Sequence, residues 1–507
     1  MTSPFDLYKE NAGAFDEFIV NSNAQDENWL GLAKSIENLG LSELKRRAIE
    51  VEQTQSARGI TFTVGGQERT FPLDPLPRII AYDEWNKVEL GLTQRIAALE
   101  AFLDDIYGSQ EIVRDKVIPK RVIANATQFS RPAAFPLMEY QMRITVAGLD
   151  LIRDEKGELV VLEDNLRTPS GVSYVIENRR AMARILPELF ENYEIEPVTD
   201  YPSRLLASLI SQAPSQVSDP LVVVLTPGIY NSAYFEHAFL ARQMGVPLVE
   251  PRDLFAKGNE IFVRTTKSSR RVDVIYRRID DEYIDPVFFR PDSYLGVPGL
   301  VNAVRAGGVT IANAVGNGVA DDKLTYAYVD EIIDYYLHQK PILKNIETYR
   351  LEDSDVLSFV VENADRLVIK PVDASGGKGI VIGSQATDQE LEEVKAAIVA
   401  NPRGFIAQRI VNFSTIPTVV GNNIEPRHAD LRPFIVSSPD GRYVVPGGLS
   451  RVALEAGSMV VNSSQGGGSK DTWIIKGRSR QRIATSSQLQ KNSQSQIAID
   501  LAKESAQ

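Results

Sequence analysis

Residues 148–165 read GLDLIRDEKGELVVLEDN, and this stretch decides the interpretation of the chain. Two runs of alternating apolar and polar residues flank the polar sequence DEKG, a pattern that predicts a β-hairpin. With the turn centred on residues 156–157, Asp150 falls opposite or nearly opposite Glu163. Asn165 follows Glu163 by two residues and therefore shares its face. We expect Asp150, Glu163 and Asn165 to form one cluster of side-chain oxygens.

The chemistry of such a cluster favours a divalent cation. Two carboxylates held side by side repel each other unless a cation lies between them. Oxygen ligands from carboxylates and an amide suit Mg²⁺ or Mn²⁺, especially when nucleotide phosphates complete the coordination shell. The alternative is a solvated strand face with alternating charges. That alternative is weakened by the polar loop from Arg167 to Ser173, which follows at once.

A second informative stretch, residues 366–383, reads RLVIKPVDASGGKGIVIG. One strand ends at Lys370, a loop of small residues follows, and another strand leaves. The loop is not a Walker A motif, because no Ser or Thr follows its lysine and a strand rather than a helix follows its glycines. Its backbone N–H groups can still fold over phosphates, with Lys370 as a point charge on them. The alternative is a flexible surface hairpin.

The composition excludes several kinds of site and partner. The 507 residues carry a net charge of −12, with 43% hydrophobic and 24% charged residues. These values are typical of a folded protein of several domains and argue against a general binder of nucleic acids or anionic membranes. The chain has no cysteine and only three histidines, so disulfides, thiolate catalysis and zinc–sulfur sites are excluded. Any metal is expected to have oxygen ligands.

The same sequence has no apolar stretch long enough for a membrane span, and its first twenty residues do not resemble a signal peptide. A soluble cytoplasmic protein is therefore the expectation. The tail beyond Lys476 is rich in Ser and Gln and is expected to fray.

Helical periodicity dominates the beginning of the chain. Residues 1–120 are expected to be mostly helical. The clearest helix has apolar residues recurring every three or four positions: Leu92, Ile96, Leu99, Leu103 and Ile106. A further helix is expected over residues 172–190, directly after the acidic hairpin and its polar loop.

The middle of the chain has the pattern of a parallel sheet. Residues 221–250 read as strand, helix and strand, with the helix over 231–244. A further buried strand is expected over 272–276. Together they predict a small Rossmann-like domain over roughly residues 200–320.

Taken together, the two motifs resemble the ATP-grasp superfamily, specifically its circularly permuted branch of glutathionylspermidine synthase-like proteins. In ordinary ATP-grasp ligases, the lysine-bearing lobe and glycine loop come first and the Asp…Glu-x-Asn strands come last. Here the acidic hairpin precedes the lysine strand, so the order is inverted. The resemblance extends from about Phe71 to about Trp473. It is most specific in the sequence EDNLRTPSGVSY, which lies within residues 162–179.

The resemblance implies a mixed α/β (α+β) fold, a circularly permuted ATP-grasp with an inserted domain. Its expected parts are a mostly helical N-terminal region (1–120), the metal-ligand half of the ATP-grasp domain (121–200), a Rossmann-like pre-ATP-grasp domain (201–320), the nucleotide-binding lobe with the remainder of the ATP-grasp domain (321–475) and a flexible tail (476–507).

The resemblance also implies roles for individual side chains. The ligands of Mg²⁺ (or Mn²⁺) bridging the phosphates of ATP would be Asp150, Glu163 and Asn165. The catalytic groups would be Arg432 near the transferred phosphate, Arg451 at an acyl phosphate, and Lys370. The nucleotide would be held by Lys323, Lys370, Gly376, Gly377, Lys378, Gly379 and Gln408, the last of these at the adenine slot. Contacts to a substrate carboxylate or peptide are expected from Asn231, residues 276–278 and the loop 169–174.

The activity that the resemblance implies is that of an ADP-forming, ATP-dependent carboxylate–amine ligase of the peptide type. The expected substrates are a small amino acid or peptide with a free carboxylate, and an amine. Neither nucleic acid nor membrane is expected as a partner, and a homodimer is compatible with the resemblance. Two alternatives stay open: a phosphotransferase that stops at a phosphorylated product, and a regulatory protein that binds ATP without turnover.

Overall fold

The structure is a computed structural model that describes residues 4–64, 67–214, 216–372, 379–459, 461 and 467–478. Within these residues the chain forms sixteen α-helices and twenty-three strands, and the strands form five sheets. The expected mixed α/β class is confirmed. In the part of the chain described, no helix is both long and apolar enough to cross a membrane.

The first quarter of the chain is largely helical. Its elements are α1 (Glu17–Asn23), α2 (Glu27–Leu39), α3 (Leu41–Ala57), β1 (Thr61–Val64), β2 (Gln67–Thr70), β3 (Arg78–Ala81), α4 (Tyr82–Ile106), α5 (Glu111–Arg114) and α6 (Lys120–Ala124). The five apolar side chains predicted to share one face of α4 are all fully buried. They pack into the main hydrophobic core beneath the acidic hairpin.

The acidic hairpin and the elements after it follow in order. They are β4 (Val146–Arg153), β5 (Leu159–Asn165), α7 (Val172–Ile185), α8 (Pro187–Asn192) and β6 (Tyr193–Ile195). The prediction of one helix over residues 172–190 is wrong, because the helix breaks at Leu186 and a new one begins at Pro187. Proline has no N–H for the helical hydrogen bond and disfavours helical geometry in the preceding residue.

The next region contains the predicted parallel sheet. Its elements are α9 (Tyr201–Ser211), β7 (Val222–Leu225), α10 (Tyr234–Met244), β8 (Leu248–Val249), β9 (Leu254–Lys257), β10 (Glu260–Arg264), β11 (Ser269–Val272), β12 (Val274–Arg277), α11 (Asp281–Ile284), α12 (Leu300–Arg305) and β13 (Thr310–Ala312). Strands β13-β12-β7-β8 form a four-stranded sheet in which every neighbouring pair is parallel.

Two features of this region differ from the sequence prediction. A separate antiparallel sheet, β11-β10-β9, was not predicted. The strand predicted over 272–276 divides at Asp273, where the chain leaves that sheet and enters the parallel one. The Asp273 carboxylate accepts a hydrogen bond from the Leu221 backbone N–H at 2.8 Å. The apolar residues before and after Asp273 follow the same strand-like pattern, so the sequence could not show that two strands of different sheets meet there.

The lysine-bearing stretch lies in a separate small sheet. This region contains α13 (Lys323–Tyr326), α14 (Val329–Leu337), β14 (Thr348–Arg350), α15 (Ser354–Glu362), β15 (Leu367–Pro371), β16 (Val381–Ile382), α16 (Asp388–Ala400) and β17 (Phe405–Arg409). The antiparallel sheet β14-β17-β15-β16 shares its own hydrophobic core with α15 and α16. Residues 367–371 and 381–382 are thus strands on either side of the glycine stretch, as predicted.

The C-terminal strands complete a ten-stranded sheet. They are β18 (Thr415–Val420), β19 (Asn423–Arg432), β20 (Phe434–Ser438), β21 (Gly441–Val444), β22 (Leu449–Val452) and β23 (Gly468–Arg478). The last strand runs three residues into the segment that was expected to be tail. The strand order β21-β20-β4-β19-β22-β23-β3 inserts β4 of the acidic hairpin between two strands from the end of the chain. The hairpin therefore meets the C-terminal arginines.

Candidate active site

The acidic hairpin has the predicted pairing. Strands β4 and β5 are antiparallel, with Asp150 opposite Glu163 and Gly148 opposite Asn165. The register shifts just after Asp150, where Leu162 is the extra residue of a β-bulge. Without this bulge, the register of the turn would bring Leu162 rather than Glu163 opposite Asp150. The bulge thus aligns the two carboxylates.

Asp150 is held by the two arginines that the sequence singled out. Arg432 donates from Nε at 2.5 Å and from Nη2 at 2.8 Å to the two carboxylate oxygens of Asp150. Arg451 donates to Asp150 from Nη2 at 2.9 Å and also forms an ion pair with Asp430. Strand pairing sets this arrangement, because Asp430 lies opposite Arg451 across β19 and β22. Arg451 thus contacts two carboxylates at once.

The arginines keep Asp150 ionised although it is buried. Burial raises the pKa of Asp150, but the guanidinium groups of Arg432 and Arg451 outweigh that effect and hold the pKa well below its ordinary value. For Asp430, which shares Arg451, burial dominates and the pKa is raised. A permanent negative charge therefore lies at Asp150, on the face that also carries Glu163.

The other two members of the oxygen cluster are less engaged. The Glu163 side chain is 36% exposed, and Nζ of Lys323 lies 3.8 Å from its Oε1. The Asn165 Nδ2 is buried and has no hydrogen-bond partner among the described residues. Turning the amide over would place its oxygen in that position, since the two orientations differ little in shape.

This donor set fits a divalent cation that also binds phosphate. In the described parts of the chain, no three Asp, Glu or His side chains form a group that could hold a metal ion alone. Two carboxylates and one amide oxygen would hold Mg²⁺ only with further oxygens from phosphate and water, which is its usual coordination beside nucleotides. The arginines occupy both lone pairs of Asp150 Oδ2 and one of Oδ1, which leaves one lone pair on Oδ1 for a cation.

Two lysines approach the cluster from the other side. Lys370 lies on β15, and Lys323 begins α13. Burial lowers the pKa of Lys370 to about 8, and the charges of Glu163, Lys323 and Asp150 act on it. Among the described residues, the Lys370 side chain has neither a hydrogen bond nor an ion pair. The fold thus brings a half-buried lysine, which has no hydrogen bond or ion pair among the described residues, toward the acidic hairpin.

The glycine stretch lies mostly outside the described residues, which include Gly379 but not Gly376, Gly377 and Lys378. Gly379 has a φ of +70°, and a Cβ there would lie 2.9 Å from Pro371 Cγ. A residue with a side chain would be strained at this position. The chain therefore needs glycine where it returns to β16.

Gln408 lies in the same sheet as Lys370. It is buried on β17, and its Nε2 donates to Thr348 Oγ1 of β14 at 2.9 Å. Its partners across the sheet are Val368 and Thr348. The adenine-slot role remains a prediction, since the Gln408 side chain is used within the sheet.

Two polar residues that the sequence analysis did not select fix the end of β5. The Asn313 side chain accepts from the Val146 backbone N–H at 2.7 Å and donates to the Leu166 carbonyl at 2.8 Å. Asp321 accepts from the Leu166 backbone N–H at 2.6 Å and from Arg167 Nε at 2.8 Å. Burial raises the pKa of Asp321 to about 6. The signal was a run of small residues and amides directly after a buried strand, ANAVGNGVADD.

The loop between β5 and α7 is held on both sides. Arg278 Nη2 donates to Ser170 Oγ at 2.5 Å, and Glu236 accepts from the backbone N–H groups of Gly171 and Ser173. Arg432 Nη1 donates to the Ser170 carbonyl at 3.3 Å. The loop predicted to contact substrate therefore lies beside Arg432.

Arg277, which was expected to contact substrate, is instead structural. It is fully buried and donates to the carbonyl oxygens of Asn313, Ile279 and Ala314. It also forms an ion pair with Asp281 at 2.5 Å. All of its donor groups point into the protein, so the expectation is wrong for this residue. Tyr276 and Arg278 are buried as well, and a hydrogen bond joins them.

The sequence is similar to several bacterial proteins. It is 53% identical to an uncharacterised protein of Mycobacterium tuberculosis, over 92% of this chain and 84% of that protein. It is 52% identical to an uncharacterised Synechocystis protein, over 83% of this chain and 88% of the other. A Frankia casuarinae protein named “Putative glutamate–cysteine ligase 2-2” is 45% identical over 91% of this chain, which covers 53% of that longer protein.

The fold is also similar to a solved structure. A glutathione synthetase-like effector from Globodera pallida superposes with a TM-score of 0.56 at 11% sequence identity, covering 85% of this chain and 96% of the effector. At this identity the likeness concerns the fold alone. The sequence matches the family described as “Circularly permuted ATP-grasp type 2” over residues 77–453. ATP-grasp proteins generally use ATP with a divalent metal, and the ligase names of relatives agree with a ligase family. The chain belongs to the circularly permuted ATP-grasp type 2 family.

Proposed function

We propose that the protein is an ADP-forming carboxylate–amine ligase that activates a substrate carboxylate as an acyl phosphate. One observation carries the proposal: the acidic hairpin lies against two arginines on one side and two lysines on the other. Arg432 and Arg451 pair with Asp150. Lys323 lies 3.8 Å from Glu163, and the charges of Glu163 and Asp150 act on Lys370. Cations beside carboxylates suit a nucleotide whose phosphates are bound together with a divalent cation.

The proposed reaction has two steps. The substrate carboxylate attacks the γ-phosphorus of ATP, the bond to the β,γ-bridging oxygen breaks, and ADP leaves. The amine then attacks the acyl carbon, inorganic phosphate leaves, and the nitrogen loses a proton to give the amide. No nucleophilic side chain is required, which agrees with the absence of cysteine.

The difficulty of the first step is the approach of two anions. Arg432 lies between Asp150 and the Ser170 carbonyl, so it can neutralise charge where the loop and the hairpin meet. Lys370 would act on the nucleotide phosphates as a half-buried cation. Asp150, Glu163 and Asn165 would hold Mg²⁺, which supplies Lewis-acid stabilisation of phosphate charge when bound.

The proposal is tested by measuring phosphate release from ATP and Mg²⁺ with pooled amino acids, short peptides and polyamines. Glutamate and cysteine belong in the pools because of the name of the Frankia relative, although this chain covers only 53% of that protein. Products are identified by mass spectrometry. ADP together with a product heavier by one condensation supports the ligase. A phosphorylated product without an amide indicates a phosphotransferase, and tight ATP binding without any turnover indicates a regulatory protein.

A further inference from the structure

A cavity of about 800 Å³ lies between α7, α10 and the segment that joins α3 to β1. Pockets for drug-sized ligands have volumes of about 300–1,000 Å³, so this cavity can hold a ligand of several residues. None of the side chains assigned above to the cation or the nucleotide lines it. Asn231, which the sequence analysis associated with substrate, does line it.

The charge of the cavity is opposite to that of the whole protein. Its lining includes three arginines, Arg58, Arg180 and Arg242, and one carboxylate, Glu177. Arg180 Nη1 donates to Glu177 at 2.6 Å, so this pair is neutral. The side chains of Arg58 and Arg242 are exposed and form no ion pair with any described residue. Two positive charges therefore remain in the cavity of a chain with a net charge of −12.

One wall of the cavity is aromatic. The rings of Phe235 and Phe239 lie 5.8 Å apart, and the Tyr174 ring lies 5.6 Å from Phe235. Phe235 and Phe239 line the cavity. The Arg180 guanidinium lies 5.8 Å from the centre of the Phe239 ring. Phe239 is only 1% exposed, so the half-buried Phe235 supplies the aromatic surface that the apolar part of a ligand can contact.

The cavity is close to the proposed reaction centre along α7. Glu177 and Arg180 of the cavity lie about one and two helical turns beyond Ser173, and one turn advances about 5.4 Å. Ser173 is the second residue of α7, and Ser170 belongs to the loop before it, which Arg432 contacts. Along the helix axis the cavity therefore begins about 6 Å beyond the end of that loop.

We propose that this cavity binds the acidic portion of a peptide substrate, whose side-chain carboxylates pair with Arg58 and Arg242. The inference rests on the proposed ligase function and names its substrate class, a peptide with several carboxylates. Guanidinium groups bind carboxylates with paired hydrogen bonds, and the aliphatic part of an acidic residue can pack on Phe235. Guanidinium groups bind phosphate equally well, so the test must separate the two anions.

The experiment measures binding of fluorescein-labelled tetra-α-L-glutamate by fluorescence anisotropy, without ATP. The test variant carries Arg58→Gln and Arg242→Gln. The control carries Arg114→Gln and Arg290→Gln, two arginines elsewhere whose side chains are 62% and 46% exposed. We expect saturable binding that weakens at least about tenfold in the test variant and changes less than about twofold in the control. Thermal unfolding of each variant checks that it is folded.

Competition distinguishes the chemistry of the ligand. Unlabelled tetraglutamine should fail to displace the probe, and tripolyphosphate should displace it less well than tetraglutamate. The inference would be overturned if the probe did not bind saturably, or if the test variant bound it with the same affinity as the unmodified protein. It would also be overturned if tetraglutamine or tripolyphosphate displaced the probe more strongly than tetraglutamate. Because the assay contains no ATP, its failure leaves the phosphate-release test of the ligase unaffected. Conversely, tetraglutamate binding without phosphate release would refute the ligase and leave the binding site standing.

Discussion

Two clusters of buried arginine and carboxylate lie at the ten-stranded sheet, and they differ in what lies beside them. The front cluster consists of Asp150, Asp430, Arg432 and Arg451. The back cluster consists of Glu17, Arg78 and Arg153. They are joined, because Arg78 Nη1 donates to the Asp430 carbonyl at 2.9 Å. Strand β4 contributes one residue to each.

The two clusters differ in whether the polar groups in them and beside them have hydrogen-bond partners. Glu17 is 1% exposed and accepts hydrogen bonds from Arg78, from Arg153 and from Ser414 Oγ at 2.6 Å. Beside the front cluster, the Asn165 Nδ2 and the Lys370 ammonium have no partner among the described residues. An amide and a lysine without partners among the described residues, beside two carboxylates, form the arrangement that a bound cation and phosphate would complete. The back cluster stabilises the fold, and the front cluster is the better candidate for function.

Of the substitutions that test the difference between the two clusters, Glu163→Gln should have the largest effect on ATP turnover. It removes a carboxylate from the proposed cation set, so we expect ATP turnover to fall by about 10³-fold. The midpoint of thermal unfolding should change little, because the side chain is 36% exposed. Phosphate release and thermal unfolding measure the two effects.

A matched control for Glu163→Gln lies on the same hairpin. Glu158 is 46% exposed and pairs with Lys344 at 2.7 Å, away from the front cluster. Glu158→Gln should keep full turnover. Undiminished turnover in Glu163→Gln would refute the assignment of this carboxylate to the cation.

The substitution Glu17→Gln tests the back cluster. It leaves Arg78 and Arg153 buried with one carboxylate fewer, so the free energy of unfolding should fall by about 3–5 kcal/mol in urea denaturation. At a temperature where the variant is folded, its KM for ATP should match that of the unmodified protein. Glu84→Gln is the control, because it removes the other partner of Arg153 at a side chain that is 34% exposed. That change should cost less than about 1 kcal/mol. Equal losses in the two variants would contradict the proposed role of Glu17.

The two clusters also show what the sequence could and could not predict. The oxygen cluster was predictable because Asp150 and Glu163 are joined by one hairpin, where alternation and a turn fix which residues meet. The back cluster was not, because Glu17 is 61 residues from Arg78 and 136 from Arg153. No local pattern connects charges at such separations. The importance of Arg432 came from the resemblance, which did not indicate that it pairs with Asp150.

The fold, like the site, was predictable where the pattern is local along the chain. Helical and parallel-sheet regions follow from periodicity, so α4 and the βαβ unit were found. Boundaries set by a single residue were missed, as at Leu186 before a proline and at Asp273 between two sheets. Asn313 and Asp321 were missed because their role depends on contacts with β4 and β5, which lie far away in the chain.

Another acid, the half-buried Glu100, sharpens the comparison, because it forms no ion pair with a guanidinium among the described residues. It accepts from the backbone N–H groups of Arg143 at 2.6 Å and Ile144 at 2.8 Å, and burial raises its pKa from 4.5 to about 7. Between pH 4.5 and 7 the folded protein keeps a proton on Glu100 that the unfolded chain has released. The free energy of unfolding should therefore fall as the pH rises through this window, by up to about 3 kcal/mol.

The variant Glu100→Gln isolates this contribution. Glutamine resembles the protonated acid, so urea denaturation at several pH values should show a smaller decrease between pH 4.5 and 7 than in the unmodified protein. An unchanged pH dependence would mean that Glu100 is ionised in the folded protein, as Asp150 is.

The smallest expected effect comes from Lys370→Met, which tests the open cation directly. Methionine keeps an unbranched side chain, one atom shorter, and removes the charge, so turnover should fall by about 10²-fold through weaker neutralisation of phosphate. Stability should change little, because the half-buried ammonium has no hydrogen bond or ion pair among the described residues. Lys344→Met, at a side chain that is 69% exposed, is the control and should keep turnover. A large loss of stability in Lys370→Met would show that Lys370 is a structural cation like Arg78, and the distinction between the two clusters would then fail at this residue.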